Sequence, residues 1–95
     1  MNDWKFDQTP NTAAITTRQV LEDNFPILVV THYDDDHSWA FVCGTTNDEK
    51  DARVVSMEEI LQRDPDLENI SFLKLGYTAR RESRNSNWVI SPNSD

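Results

Sequence analysis

The stretch Ile27–Tyr33 constrains the fold of this chain more than any other part of its sequence. It opens with four consecutive apolar residues and is too short for a typical helix, which favours a strand buried on both faces at the centre of a sheet. Pro26 precedes it and the polar stretch Asp34–His37 follows it. Ser38–Cys43 then places apolar residues at alternate positions, as a strand does. The short polar link predicts an antiparallel hairpin with residues 34–37 at its tip.

Other segments show the pattern of strands. Ala52–Val55, which ends in two β-branched valines, is interpreted as a third strand, and Tyr77–Glu82 alternates as a half-exposed strand should. Thr12–Ile15 is interpreted either as a short strand or as an entry segment, and Trp88–Ile90 is expected to pair behind Tyr77–Glu82.

Two or three short helices are predicted between these strands. Thr16 or Thr17 can cap a helix over Arg18–Asp23. Ser56 with Glu59 forms a capping box for a helix that ends at Arg63, and Asp66–Phe72 keeps helical spacing after Pro65. We therefore predict an α+β fold: an antiparallel sheet of four to five strands with two to three short helices packed on one face.

The length of 95 residues suits one domain. We expect an N-terminal arm over residues 1–11, a single α+β domain over 12–90 and a flexible C-terminus over 91–95. Trp4 and Phe6, two apart in the polar arm, suggest that the arm forms a short strand or presses on the domain.

Charge narrows the classes of partner. The net charge is −8, and residues 1–68 hold fifteen acids and five bases, a net −10, whereas residues 69–95 carry +2. Such a chain is not expected to bind nucleic acid, because polyphosphate attraction needs clustered Lys and Arg. It does suit a basic protein partner, although an acidic surface also serves solubility alone.

Neither a membrane span nor a secretory leader is expected. No apolar run approaches the roughly 20 residues that a transmembrane helix needs. Met1–Lys5 lacks the basic-then-apolar layout of a signal peptide, so a cytoplasmic location is expected. The lone Cys43 cannot form an internal disulfide.

The hairpin holds the residues that invite a chemical interpretation. Asp34, Asp35 and Asp36 could hold a hard cation, but the alternate spacing and glycine of a calcium loop are absent, and a solvated turn is the competing interpretation. His32, His37 and Cys43 do not have the paired spacing of a zinc site. We expect neither a metal nor a cofactor. A small metal-dependent or Cys–His enzyme that uses residues 32–43 is the alternative hypothesis.

Aromatic residues and arginines supply the binding hypothesis. Tyr77, Arg80 and Trp88 are residue types that dominate protein–protein hot spots. Trp39 is expected in the core, whereas core and surface remain equally open for Trp88. The predicted binding residues are Asp34, Asp35, Asp36, His37, Tyr77, Arg80 and Trp88, and no catalytic residue is predicted.

The order of motifs over residues 12–88 resembles a group of small uncharacterised bacterial proteins. The motifs are the acidic hairpin Asp34–Phe41, the strand and capped helix start Asp51–Ile60, the Asp64–Leu67 turn and the strand Leu75–Arg81. The order is also distantly similar to a family of unknown function that includes proposed immunity proteins of bacterial toxin systems. This resemblance raises the hypothesis of an immunity-type function and transfers no catalytic residue.

The function expected from the sequence is therefore that of an acidic, non-enzymatic protein-binding domain, with neutralisation of a basic toxin as one concrete version. An uncovered sheet edge that joins copies of the chain is a further possibility, and the sequence does not determine the oligomeric state.

Overall fold

A computed structural model describes residues 4–45 and 48–93. The fold is mixed α+β: a six-stranded sheet with a few short helices. The sheet order is β4-β1-β3-β2-β5-β6. The strands are β1 (Ala13–Thr17), β2 (Val29–His32), β3 (Trp39–Val42), β4 (Ala52–Ser56), β5 (Tyr77–Arg80) and β6 (Val89–Pro92). The helices are α1 (Arg18–Glu22), α2 (Met57–Arg63) and two 3₁₀ helices, Glu49–Asp51 and Pro65–Ile70.

The predicted hairpin is confirmed. β2 and β3 pair antiparallel, with Val30 opposite Phe41 and His32 opposite Trp39. These two strands occupy the centre of the sheet, as the unbroken apolar run predicts. The expected burial on both faces is wrong: Val30 and His32 are buried, whereas Val29 and Thr31 on the other face of β2 are partly exposed.

The prediction of an antiparallel sheet of four to five strands needs two corrections. The sheet has six strands, because both of the ambiguous segments, β1 and β6, join it. One pairing, β1 with β3, is parallel, with Ile15 beside Ala40. Along the sequence, β2 lies between β1 and β3 and runs in the opposite direction to both. β3 therefore runs in the same direction as β1. β6 runs to Pro92, two residues beyond the predicted domain boundary, and residues 94 and 95 of the predicted flexible end lie outside the described residues.

Two of the helices begin with a side-chain cap, whereas α1 follows Thr17 without a capping hydrogen bond from the Thr17 hydroxyl. The Ser56 hydroxyl accepts a hydrogen bond from the Glu59 amide at 3.1 Å, which satisfies a free donor of the first turn of α2. The Asp64 carboxylate caps the 3₁₀ helix in the same way by accepting from the Asp66 amide. The predicted helix over residues 66–72 is thus a 3₁₀ helix that begins at Pro65.

One core lies on one face of the sheet. Trp39 and Phe41 from β3 meet Met57 and Ile60 of α2 and Leu67 of the 3₁₀ helix, all fully buried. Phe6 is also buried in this core, its ring edge-on to Trp39 with centroids 4.9 Å apart, so the arm presses on the domain. Apolar area removed from water drives this packing.

The opposite sheet face, here called the open face, carries polar and exposed β-branched side chains. Ile15, Val54 and Val89 are exposed there, and Thr31 lies opposite Thr78 in the register of β2 with β5. Among the described residues, no helix is both long and apolar enough to cross a membrane.

Candidate binding groove

The tip of the β2–β3 hairpin is a compact turn. The Tyr33 amide donates to the Ser38 carbonyl at 2.9 Å, and His37 adopts the left-handed conformation at φ 63°. The Asp36 carboxylate accepts from the Ser38 amide at 3.0 Å. Hydrogen bonds from the side chain and backbone of Ser38 hold the pKa of Asp36 below its ordinary value of 3.8. Asp36 therefore supports the turn and stays ionised.

The acidic residues that precede Asp36 line a groove on the open face. This groove has a volume of about 490 Å³. Tyr33, Asp34 and Asp35 contribute its hairpin side, and Arg80 of β5 lines it as well. Its remaining lining residues are Thr31, Thr78, Ser91, Pro92 and Asn93.

Hydroxyl groups order the groove floor. The Thr31 and Thr78 hydroxyls lie 3.2 Å apart across the β2–β5 pairing, and the Thr78 hydroxyl donates to the Asn93 side-chain oxygen. The Asn93 amide in turn donates to the Gly76 carbonyl at 2.7 Å, which fixes the end of β6 against β5. The floor is thus held by side-chain and backbone bonds before any partner arrives.

Gly76 joins the start of β5 to the end of β2. Its φ of 84° is in the left-handed region that favours glycine, and its amide donates to the His32 carbonyl at 2.7 Å. A Cβ at this position would lie 3.4 Å from Asp34 Oδ2. That distance is an ordinary van der Waals contact, so the left-handed backbone conformation, rather than space beside Asp34, is what favours glycine here.

The structure brings together three of the seven predicted binding residues, Asp34, Asp35 and Arg80. Asp36 and His37 stay exposed at the hairpin tip. There the His37 carbonyl accepts a hydrogen bond from the Gln8 side-chain nitrogen Nε2 at 3.0 Å. In the described chain no ion pair neutralises the carboxylates of residues 34–36.

Tyr77 and Trp88 lie elsewhere. Tyr77 packs against the core on the other face of the sheet. Trp88 is half-buried, with the Arg81 guanidinium 4.3 Å from its ring centroid. The seven predicted residues therefore divide into three in the groove, two at the hairpin tip and two that pack against the core.

Sequence reasoning missed Thr31, Thr78 and Asn93 as groove residues. The signal for Thr31 was parity, since it alternates with the buried Val30 and must face the other side of β2. Thr78 and Asn93 needed the pairing register, which the local pattern does not contain.

His32 and Cys43, which with His37 and Asp34–Asp36 support the alternative enzyme hypothesis, have separate surroundings. The His32 ring stacks on Trp39 at 4.0 Å between centroids, with Nδ1 2.8 Å from the Leu73 carbonyl oxygen. Its Nε2 lies 3.3 Å from Asp7 Oδ2 but is not aligned for a hydrogen bond.

The Cys43 sulfur instead lies 3.1 Å from the Thr45 hydroxyl and 3.5 Å from that of Thr17. Burial by itself raises the pKa of the Cys43 thiol, but hydrogen bonds from Thr17 and Thr45 outweigh burial and lower the pKa below its ordinary value of 9.0. Across residues 4–45 and 48–93, no three His, Cys, Asp or Glu side chains cluster as metal ligands would. The structure thus does not bring the thiol and the imidazole together.

Comparison of the chain with protein-family models, with curated proteins and with solved structures finds no match. The similarity to toxin-immunity proteins therefore remains a hypothesis from the sequence.

Proposed function

We propose that this chain is a non-enzymatic protein-binding domain that engages a basic segment of a partner with its hairpin tip and groove. The observation that carries the proposal is the placement of Asp34 and Asp35 in a groove, exposed and without an ion pair in the described chain. A cationic side chain of a partner would provide the missing counter-charge at little cost, because the carboxylates stay partly solvated.

The surrounding residues add selectivity. Tyr33 offers an exposed aromatic ring beside the carboxylates, on which the stem or charge of a lysine or arginine can pack. Arg80 in the same groove disfavours a purely basic ligand and suits a segment in which an acidic residue accompanies the basic ones. The net charge of −8 supports the same choice of partner by steering basic proteins toward the surface.

An immunity-type neutraliser of a basic toxin, acting in a bacterial cytoplasm, is the concrete version that we propose. It agrees with the resemblance of the motif order, and it requires no reaction centre. A surface that must only bind and block is sufficient for that role.

The test compares two triple variants with equal changes in charge. One carries Asp34→Asn, Asp35→Asn and Asp36→Asn, and the control carries Glu58→Gln, Glu59→Gln and Glu68→Gln, all exposed on the helices. Both are titrated against an array of synthetic peptides that contain arginine and lysine with and without an acidic residue.

We expect the aspartate variant to lose about tenfold or more in affinity for the mixed-charge basic peptides, and the glutamate variant to stay within about twofold of the unmodified chain. Equal losses in the two variants would show mere charge attraction, and absence of binding by the unmodified chain would refute the groove as a site for basic peptides.

A further inference from the structure

The two edges of the sheet differ in how they are protected. β6 is one edge strand, and the Asn93 amide donates to the Gly76 carbonyl, so residue 93 points its backbone groups inward. By alternation Ile90 and Pro92 point theirs outward. Pro92 has no N–H to offer, and proline at an outward position is a common way to prevent an edge from pairing.

β4, the other edge strand, contains no proline. The Met57 amide donates to the Thr12 carbonyl at 2.9 Å, just beyond the regular five-residue pairing of β4 with β1. By alternation from Met57, the backbone N–H and C=O groups of Val55 and Arg53 point toward β1. The backbone groups of Ala52, Val54 and Ser56 point away from the sheet. The Ala52 amide is used by the Glu49 carbonyl and its oxygen by the Arg53 guanidinium. Within residues 4–45 and 48–93, the backbone N–H and C=O of Val54 are thus the central outward-facing groups that no other strand engages.

The geometry points to a second copy of this chain as the strand that pairs with β4. In an antiparallel pairing about a two-fold axis at Val54, the two Val54 residues exchange both backbone hydrogen bonds, and Ala52 lies opposite Ser56 of the other copy. The backbone groups of Ala52 are already engaged, so the hydrogen bonds of this pairing are the two between the Val54 residues.

Side chains support the same register. Val54 is 71% exposed, and Ile15, its neighbour on β1, is 42% exposed on the same face. Pairing places the two copies of Val54 side by side between the two copies of Ile15, which buries apolar surface that the single chain leaves in water.

The composition of β4 does not oppose such a pairing. The strand contains Arg53 and no acid, in a chain with seventeen acids, so it places no carboxylates against each other when two copies pair. This edge lies across the sheet from the groove, so the inference is independent of the proposed function.

The experiment is sedimentation equilibrium of the full chain from about 10 µM to about 1 mM, a range that detects even weak dimers. We expect a monomer–dimer equilibrium. Val54→Pro removes the central N–H and abolishes the dimer, while circular dichroism checks that the variant folds. Val54→Lys keeps the backbone but places like charges side by side, and weakens dimerisation about tenfold or more. Val89→Lys, on the proline-protected edge at 69% exposure, is the matched control and leaves the dimer unchanged.

Amide hydrogen exchange tests the register. The Val54 amide is expected to become protected as the concentration rises and to exchange freely on dilution. A monomer over the whole range, or a dimer that Val54→Pro and Val54→Lys leave intact, overturns the inference. So does an unprotected Val54 amide in a dimer, since that dimer would use another surface.

Discussion

Arg81, just after β5, and Asp64, between α2 and the following 3₁₀ helix, form a buried ion pair with Nη2 and Oδ2 2.6 Å apart. Arg81 also donates from Nε to the Ile27 carbonyl and from Nη1 to the Arg84 carbonyl, each at 3.0 Å. One guanidinium thus ties the helical layer to the sheet and to the turn that leads into β6.

Neutralising Asp64 should destabilise the fold strongly. Asp64→Asn keeps an oxygen for the helix cap but leaves the Arg81 guanidinium buried without a counter-charge, which costs about 3 kcal/mol or more. Urea denaturation of Asp64→Asn, Arg81→Met and the double variant measures the coupling. We expect the double variant to lose less than the sum of the two single losses, and strict additivity would contradict an energetic link between the residues.

Leu67 anchors the 3₁₀ helix in the core. It is fully buried, so Leu67→Ala removes apolar contacts and leaves a cavity, and we expect a loss of about 2–5 kcal/mol in the free energy of unfolding. Phe72→Ala is the matched control, since Phe72 is 67% exposed and its truncation should change stability by about 0.5 kcal/mol or less. Similar losses in the two variants on chemical denaturation would contradict the core as described.

Asp7 holds the arm against the sheet. Its Oδ1 accepts from the Trp39 indole N–H at 3.0 Å, and Asp7→Ala leaves that buried donor without its partner. We expect a loss of about 1–3 kcal/mol together with a change in tryptophan fluorescence. The control, Asp35→Ala, removes an exposed carboxylate from the hairpin. It should change neither the free energy of unfolding nor the tryptophan fluorescence. If the two variants behave alike, the arm does not depend on Asp7.

The Cys43 thiol is tuned by its hydroxyl neighbours. Thr45→Val removes one hydrogen bond to the sulfur, so the pKa of the Cys43 thiol should rise, as followed by the ultraviolet absorbance of the thiolate. Thr9→Val, in the exposed arm, is the control. A thiol pKa that does not respond to Thr45→Val would assign the lowered value to another cause.

The lowered pKa of the Cys43 thiol also makes the free energy of unfolding depend on pH. The pKa of Cys43 in the folded state lies below the ordinary thiol value of 9.0. Between these two pKa values, the native state therefore binds fewer protons than the unfolded state. The stabilising contribution is therefore present above 9.0 and is lost as the pH falls through the folded pKa. Thr45→Val should reduce this pH dependence in urea denaturation.

Short-range chemistry made much of the fold predictable. The apolar run before Tyr33 and the alternating strand after Ser38 specify a hairpin, because their pattern and the link between them lie within a few residues. The cap of α2 by Ser56 was predictable for the same reason. The parallel pairing of β1 with β3 was not, since it depends on β2 lying beside β3 and leaving the other side of β3 open.

The candidate groove divides in the same way. That the residues at 34–36 are acidic and solvated follows from the sequence alone, because three adjacent aspartates cannot be buried unpaired. That Asp34 and Asp35 share a groove with Arg80, while Tyr77 and Trp88 pack elsewhere, follows only from the order and register of strands. Local periodicity decides which face of its own strand a side chain occupies, but packing between distant segments decides which strands are neighbours.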